Sequence, residues 1–169
     1  MNTTSRVLLA AALVASLAAC SKKVKEEAPV TETTTTTETQ PMADDGVFGP
    51  EDLDTNACLR QRVVYFDFDQ DALKPEFEEI MACHAKYLRD RPSARITLEG
   101  NADERGTREY NMGLCERRGN AVSSALQGNG GSASALSVVS FGEERPTCTD
   151  ASESCWSQNR RVEIVYTAK

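Results

Sequence analysis

Three observations over residues 57–169 predict an α/β domain, an α+β sandwich in layer terms. Apolar residues fall in four short strand-like runs, stripes at helical spacing follow the first two runs, and Gly or Pro punctuates the joins. The order strand, helix, strand, helix, strand, strand makes two βαβ crossovers and a small four-stranded sheet with its helices packed on one face. In the first strand Val64, Phe66 and Phe68 share a face. Pro75 opens a helix whose stripe is Phe77, Ile80, Met81, His84 and Leu88, ended near Arg91-Pro92. Ile96 and Leu98 point inward from the second strand, Arg95–Glu99, which stops at Gly100. A helix over Tyr110–Gln127 follows, closed by Gly128-Asn129-Gly130-Gly131. Ser137–Phe141 and Arg161–Tyr166 complete the set.

Residues 1–19 read as a secretory signal peptide. Arg6 is its one charge, Val7–Leu17 is apolar, and Leu17-Ala18-Ala19 supplies small residues before Cys20. The apolar run is too short for a spanning helix of about 20 residues. A cysteine directly after Leu-Ala-Ala resembles the bacterial lipobox, which implies lipidation of Cys20, and Ser21 resembles the outer-membrane sorting signal of enteric-type bacteria. Residues 20–56 then hold the lipidated Cys20 and a linker. Its Glu26-Glu27-Ala28-Pro29 and the Thr/Glu run of residues 31–39 lack apolar periodicity, so it reads as disordered. About 30 such residues reach roughly 30 Å as a coil.

Arg118 is the misfit of the second helix. At about 3.6 residues per turn, Leu114, Ala121, Val122, Ala125 and Leu126 form one face and Arg118 projects from its middle, while Arg117 points outward. A guanidinium facing a core needs a carboxylate or an anionic ligand. Asp103, in the turn between second strand and second helix, can face it across a small cleft. Acid and base held apart suit a zwitterion. The same spacing also accommodates a structural ion pair, or an arginine that snorkels past the stripe edge.

Enzymatic readings fail on missing parts. Asp67-Phe68-Asp69 resembles the opening of haloacid-dehalogenase-type phosphatases, without the downstream lysine and second acidic cluster. Asp67, Asp69, Asp71 and Glu78 match an EF-hand spacing, but Ala72 replaces the glycine and Pro75 breaks the loop. His84, the single histidine, lies on an apolar stripe and reads as a core residue. No GxSxG, CxxC or HExxH motif is present. The expectation is therefore a binding protein without catalytic residue, metal or cofactor. The formal charge of −7 becomes −8 once Arg6 leaves with the signal segment, which argues against nucleic acid as a partner. Export favours disulfides. Beyond Cys20 the cysteines are an odd set, Cys58, Cys83, Cys115, Cys148 and Cys155. Cys148 with Cys155 is the favoured pair, pinning a short loop before the last strand; Cys58 with Cys83 is a second, and buried thiols are the alternative to both.

Gly100-Asn101-Ala102-Asp103-Glu104-Arg105-Gly106-Thr107, Glu109-Tyr110-Asn111, Leu114, Glu116-Arg117-Arg118 and Asn120-Ala121-Val122 resemble the peptidoglycan-associated lipoprotein family within the OmpA-like C-terminal domains. So do Val64–Asp69, Val139–Pro146 and Asn159–Ile164, so the resemblance runs from about Val63 to Tyr166. Asn101 departs from it, standing where the family usually has histidine. The resemblance implies a mixed sheet and an OmpA-like peptidoglycan-binding domain at 57–169. It implies an outer-membrane lipoprotein facing the periplasm that binds the wall non-covalently through meso-diaminopimelate. It also implies TolB and other Tol proteins as partners, with roles in envelope integrity and in outer-membrane constriction at cell division. Asp103 would take the ammonium and Arg118 the carboxylate of diaminopimelate. By family match Asn111 and Leu114 line the same cleft, and Asp67 and Phe68 form its other wall. Leu114 also suits plain core and Asn111 a helix start. The competing function is a periplasmic protein-interaction hub with wall binding secondary.

Overall fold

The structure is a computed structural model, in which residues 46–169 are described. They form α1 (Asp52–Thr55), β1 (Val63–Tyr65), α2 (Glu78–Asp90), β2 (Arg95–Asn101), α3 (Arg108–Gly128), β3 (Leu136–Gly142), α4 (Glu153–Asn159) and β4 (Arg161–Ala168). The sheet order is β1-β4-β2-β3. β2 is parallel to β3 and antiparallel to β4, which is in turn antiparallel to β1. The sheet is thus mixed. β2-α3-β3 joins neighbouring strands, whereas β1-α2-β2 skips one, because β4 inserts between β1 and β2.

The core follows the two periodicities. Val64, Ile96, Leu98, Val162 and Ile164 are buried from the sheet, and meet Ile80, Met81, Ala85 and Leu88 of α2 and Val122 and Leu126 of α3. Pro75 begins a 3-10 turn, Pro75–Phe77, that feeds α2. His84 is fully buried and satisfied: its Nε2 donates to the Gln61 carbonyl at 3.0 Å and its Nδ1 accepts from the Tyr166 hydroxyl at 2.7 Å. Gly100 is where α3 meets β2, since a Cβ there would lie 2.4 Å from the Cys115 carbonyl oxygen. Disulfides join Cys58 to Cys83 and Cys148 to Cys155, and among the described residues Cys115 is the free thiol, buried.

Three features depart from the sequence expectations. β1 ends at Tyr65, so Phe68 does not share the face of Val64 and Phe66 but is 55% exposed. The chain turns instead, with Gln70 N donating to the Asp67 carbonyl and Asp69 in the left-handed region at φ 58. Residues 153–159, for which the sequence predicted no helix, form α4. The packed unit also begins before residue 57: Phe48 and Leu53 are buried in the core, and the Phe48 amide donates to Asp90 at 2.9 Å. The signal segment, Cys20 and most of the linker lie outside the described residues. No helix among the described residues is long and apolar enough to cross a membrane.

Candidate functional site

β1 and β2 finish, and β4 begins, at the same end of the sheet, because β4 runs opposite to both. The β2–α3 loop and the first turns of α3 close over that end. Between them lies a cavity of about 370 Å³. Five of the six residues expected there from the sequence line it, namely Asp103, Arg118, Asn111, Leu114 and Phe68. The loop turns through Gly106 at φ 109, a conformation that favours glycine, and Thr107 caps α3 by accepting from Tyr110 N at 3.2 Å.

Arg118 is the largest fully buried side chain. Its Nε donates to the Gln70 carbonyl at 2.8 Å, Nη2 to the Asp67 carbonyl at 3.0 Å and Nη1 to the Asn101 carbonyl at 3.5 Å. Among the described residues it forms no ion pair with a carboxylate. Burial lowers its pKa from the ordinary value, as expected of a cation met by dipoles but no anion. A buried charge in that state favours an anionic ligand.

Asp103, expected to face Arg118, is buried but paired elsewhere. Its Oδ1 accepts from the Arg105 amide at 3.1 Å and Arg105 Nε at 3.2 Å, and its Oδ2 from Arg105 Nη2 at 2.7 Å and Arg160 Nη1 at 3.0 Å. Burial opposes its ionisation, but these hydrogen bonds outweigh burial and hold its pKa below the usual carboxylate value. Asp103 and Arg118 thus share the cavity without touching, which removes the structural ion pair between them as an explanation of Arg118.

The remaining expected residues divide. Asn111 does not cap the helix; its Nδ2 donates to the carbonyls of Asp103 and Arg105, at 3.3 and 3.2 Å, and to Glu143 Oε2 at 2.5 Å, tying the loop to α3. Leu114 is both core and wall. Asp67 contributes only its carbonyl: its carboxylate leaves the cavity to meet Lys74 at 2.8 Å. Asp69 takes the cavity-facing place, bound by the Tyr110 hydroxyl. Asp71 pairs with Arg117 at 2.8 Å, so these three carboxylates diverge rather than converge on a metal.

Four cavity residues with polar side chains escaped the sequence reading of the site: Asp69, Arg105, Tyr110 and Arg160. A signal for Arg160 existed in the Arg160-Arg161 doublet at the start of an apolar strand; both arginines are buried, and Arg160 donates to the Phe66 carbonyl at 3.0 Å. Arg105 lies over Phe68 at 4.0 Å and Trp156 at 4.2 Å, a sandwich that only the tertiary fold creates. Cys115 offers no nucleophile, being buried with its thiol pushed up to about 11 by desolvation. The cavity thus places a buried carboxylate, Asp103, and a buried guanidinium, Arg118, along one wall.

The OmpA family model matches residues 65–160, more than half of the chain and the whole cavity wall. The chain belongs to the OmpA family. Its OmpA relatives include the peptidoglycan-associated lipoprotein of Haemophilus influenzae, 39% identical over 98% of this chain and 100% of that protein. The peptidoglycan-associated lipoprotein of Pseudomonas putida is 50% identical over 66% of this chain and 68% of its own length. Among solved OmpA-like structures, the peptidoglycan-associated lipoprotein from Burkholderia pseudomallei is 40% identical, covers 68% of this chain and 97% of its own, and superposes with a TM-score of 0.66.

Proposed function

We propose that this protein is an outer-membrane lipoprotein, anchored through acylated Cys20 and facing the periplasm, that binds peptidoglycan non-covalently through meso-diaminopimelate and links the outer membrane to the wall. It acts by binding, not catalysis. One observation carries the reading: a fully buried Arg118 guanidinium, without an anion of its own among the described residues, lines a cavity that also holds Asp103. The free end of diaminopimelate bears an ammonium and a carboxylate on one carbon, and those are the charges the cavity can receive. Arg118 suits the carboxylate by its planar fork of donors, and Asp103 suits the ammonium. The names of the two relatives described above, both peptidoglycan-associated lipoproteins, support the same polymer. Within the envelope the proposed setting is the Tol-Pal system, with TolB and other Tol proteins as partners and outer-membrane constriction at division as the task. The exposed Phe68 and Tyr110 beside the cavity suit a protein partner that competes for the same mouth.

Sedimentation with sacculi tests this directly. Arg118→Lys keeps the charge and loses the fork, so binding should fall roughly 10-fold to 150-fold, the equivalent of about 1.5 to 3 kcal/mol for a charge-assisted contact. Asp103→Asn should weaken binding too, but it also strips Arg160 of an anion and lowers the melting temperature. Lysine-type peptidoglycan lacks the extra carboxylate and should bind poorly. Equal binding to both wall types, or full binding by Arg118→Lys, would sink the reading. A TolB pull-down in which diaminopimelate peptide fails to compete would remove the shared mouth.

A further inference from the structure

The ammonium seat on Asp103 is already occupied, and by this chain. An ionised carboxylate offers about four acceptor positions. Asp103 fills them with two bonds from the Arg105 side chain, one from the Arg105 amide and one from Arg160. The last two are fixed by the fold, since the amide belongs to the loop backbone and the Arg160 side chain is 6% exposed and held by the Phe66 carbonyl. The Arg105 side chain differs. It is 29% exposed, it lies between the exposed Phe68 and the half-buried Trp156, and its Nη2 is 3.4 Å from Glu153, whose other oxygen accepts from Arg160. Turning it outward frees one position on each Asp103 oxygen, enough for an ammonium with three donors.

We propose that Arg105 is a displaceable internal occupant of the ammonium subsite, expelled from between Phe68 and Trp156 when ligand enters, and that it thereby sets the cavity's selectivity. This rests on the diaminopimelate reading of the same cavity. A ligand bearing only an ammonium exchanges one cation for another on Asp103 and gains little. A ligand bearing an ammonium beside a carboxylate makes the same exchange and adds the contact with Arg118. Competition by Arg105 therefore rejects simple amines and lysine-type stems while a zwitterion still binds, selectivity by an opposing element rather than by extra attraction.

Trp156 is the single tryptophan of the chain, so its emission comes from this one place, where Arg105 lies over the ring and the indole N–H donates to Glu104 at 3.0 Å. The full-length protein is titrated with the tripeptide stem L-alanyl-D-glutamyl-meso-diaminopimelate and with its lysine counterpart, following emission and heat together. Wild type should change Trp156 emission in step with the heat. Arg105→Ala should show the changed emission before any ligand is added and bind the diaminopimelate stem about tenfold tighter, with a smaller preference over the lysine stem. Arg105→Lys, which keeps the charge without the fork, should fall between. Heat of binding with unchanged Trp156 emission overturns displacement, as does weaker binding by Arg105→Ala, which would make Arg105 a direct ligand contact. If neither wild type nor Arg105→Ala gives heat, the diaminopimelate reading itself falls and takes this inference with it.

Discussion

Single residues here do what their surroundings force on them. His84 is the core's one titratable imidazole, and burial, ahead of every other influence, lowers its pKa to about 4. Protonation would remove the acceptor that Nδ1 offers the Tyr166 hydroxyl and bury a charge beside Arg62. The unfolded chain binds that proton below about 6.5 and the folded chain only near 4, so the unfolded state gains protons first. Stability is complete above about pH 6.5 and falls, by roughly 3 kcal/mol at most, as pH drops towards 4. Asp103, whose pKa is depressed, loses its contribution at still lower pH. Urea unfolding at pH 7.5 and 4.5 should show the loss in wild type and a flatter profile in His84→Gln; an unchanged slope in that variant would remove His84 as the cause. His84 and Arg118 were legible in the sequence because each interrupts an apolar stripe. Asp69 was not, because only a left-handed backbone turns it, rather than Asp67, into the cavity.

At the level of elements, the site depends on how closely α3 lies on β2. That helix delivers Arg118 and the strand's end delivers Asp103, and their separation is fixed where Gly100 faces the Cys115 carbonyl. Gly100→Ala would push a methyl against backbone that cannot yield, so it should destabilise by about 3 kcal/mol, the upper end of overpacking costs, and weaken sacculus binding with it. Gly113, one turn into α3, is the contrast: a Cβ there meets only the Arg117 guanidinium at 3.6 Å. Gly113→Ala should therefore stabilise by about 0.5 to 1 kcal/mol through helix propensity. Thermal melts of the two variants decide the matter, and a similar shift in both would refute the close approach. The long elements were legible because α2 and α3 repeat their stripes over several turns. α1 and α4 were not, being four and seven residues long and shaped by tertiary contacts. Asn159, which ends α4, holds the preceding loop by accepting from Thr147 N at 2.9 Å and Cys148 N at 3.1 Å. The split of the first crossover by β4 was equally invisible, since strand order leaves no periodic trace.

Across the whole molecule the six cysteines fall into three groups. Two pairs tie down the parts of the domain with least regular structure: Cys58 fastens the segment before β1 to Cys83 on α2, and Cys148 fastens the loop before α4 to Cys155. Cys115 remains a thiol because burial between α3 and β3 shields it. Cys20 lies outside the described residues, where the sequence reads as a lipidation site. These are distinct fates with distinct chemistry, and one measurement reads them all. Non-reducing peptide mapping of the mature protein from membranes should find the chain starting at an acylated Cys20, Cys58 linked to Cys83, Cys148 linked to Cys155, and Cys115 alkylated only after denaturation. Chain-entropy estimates put the stabilisation near 3.5 kcal/mol for the 25-residue separation and about 2.5 kcal/mol for the 7-residue one. Reduction should then lower the melting temperature by about 10 °C or more. Ready alkylation of Cys148 in the native oxidised protein would break the second pair, and a mature chain that keeps residues 1–19 would detach the domain from its proposed anchor.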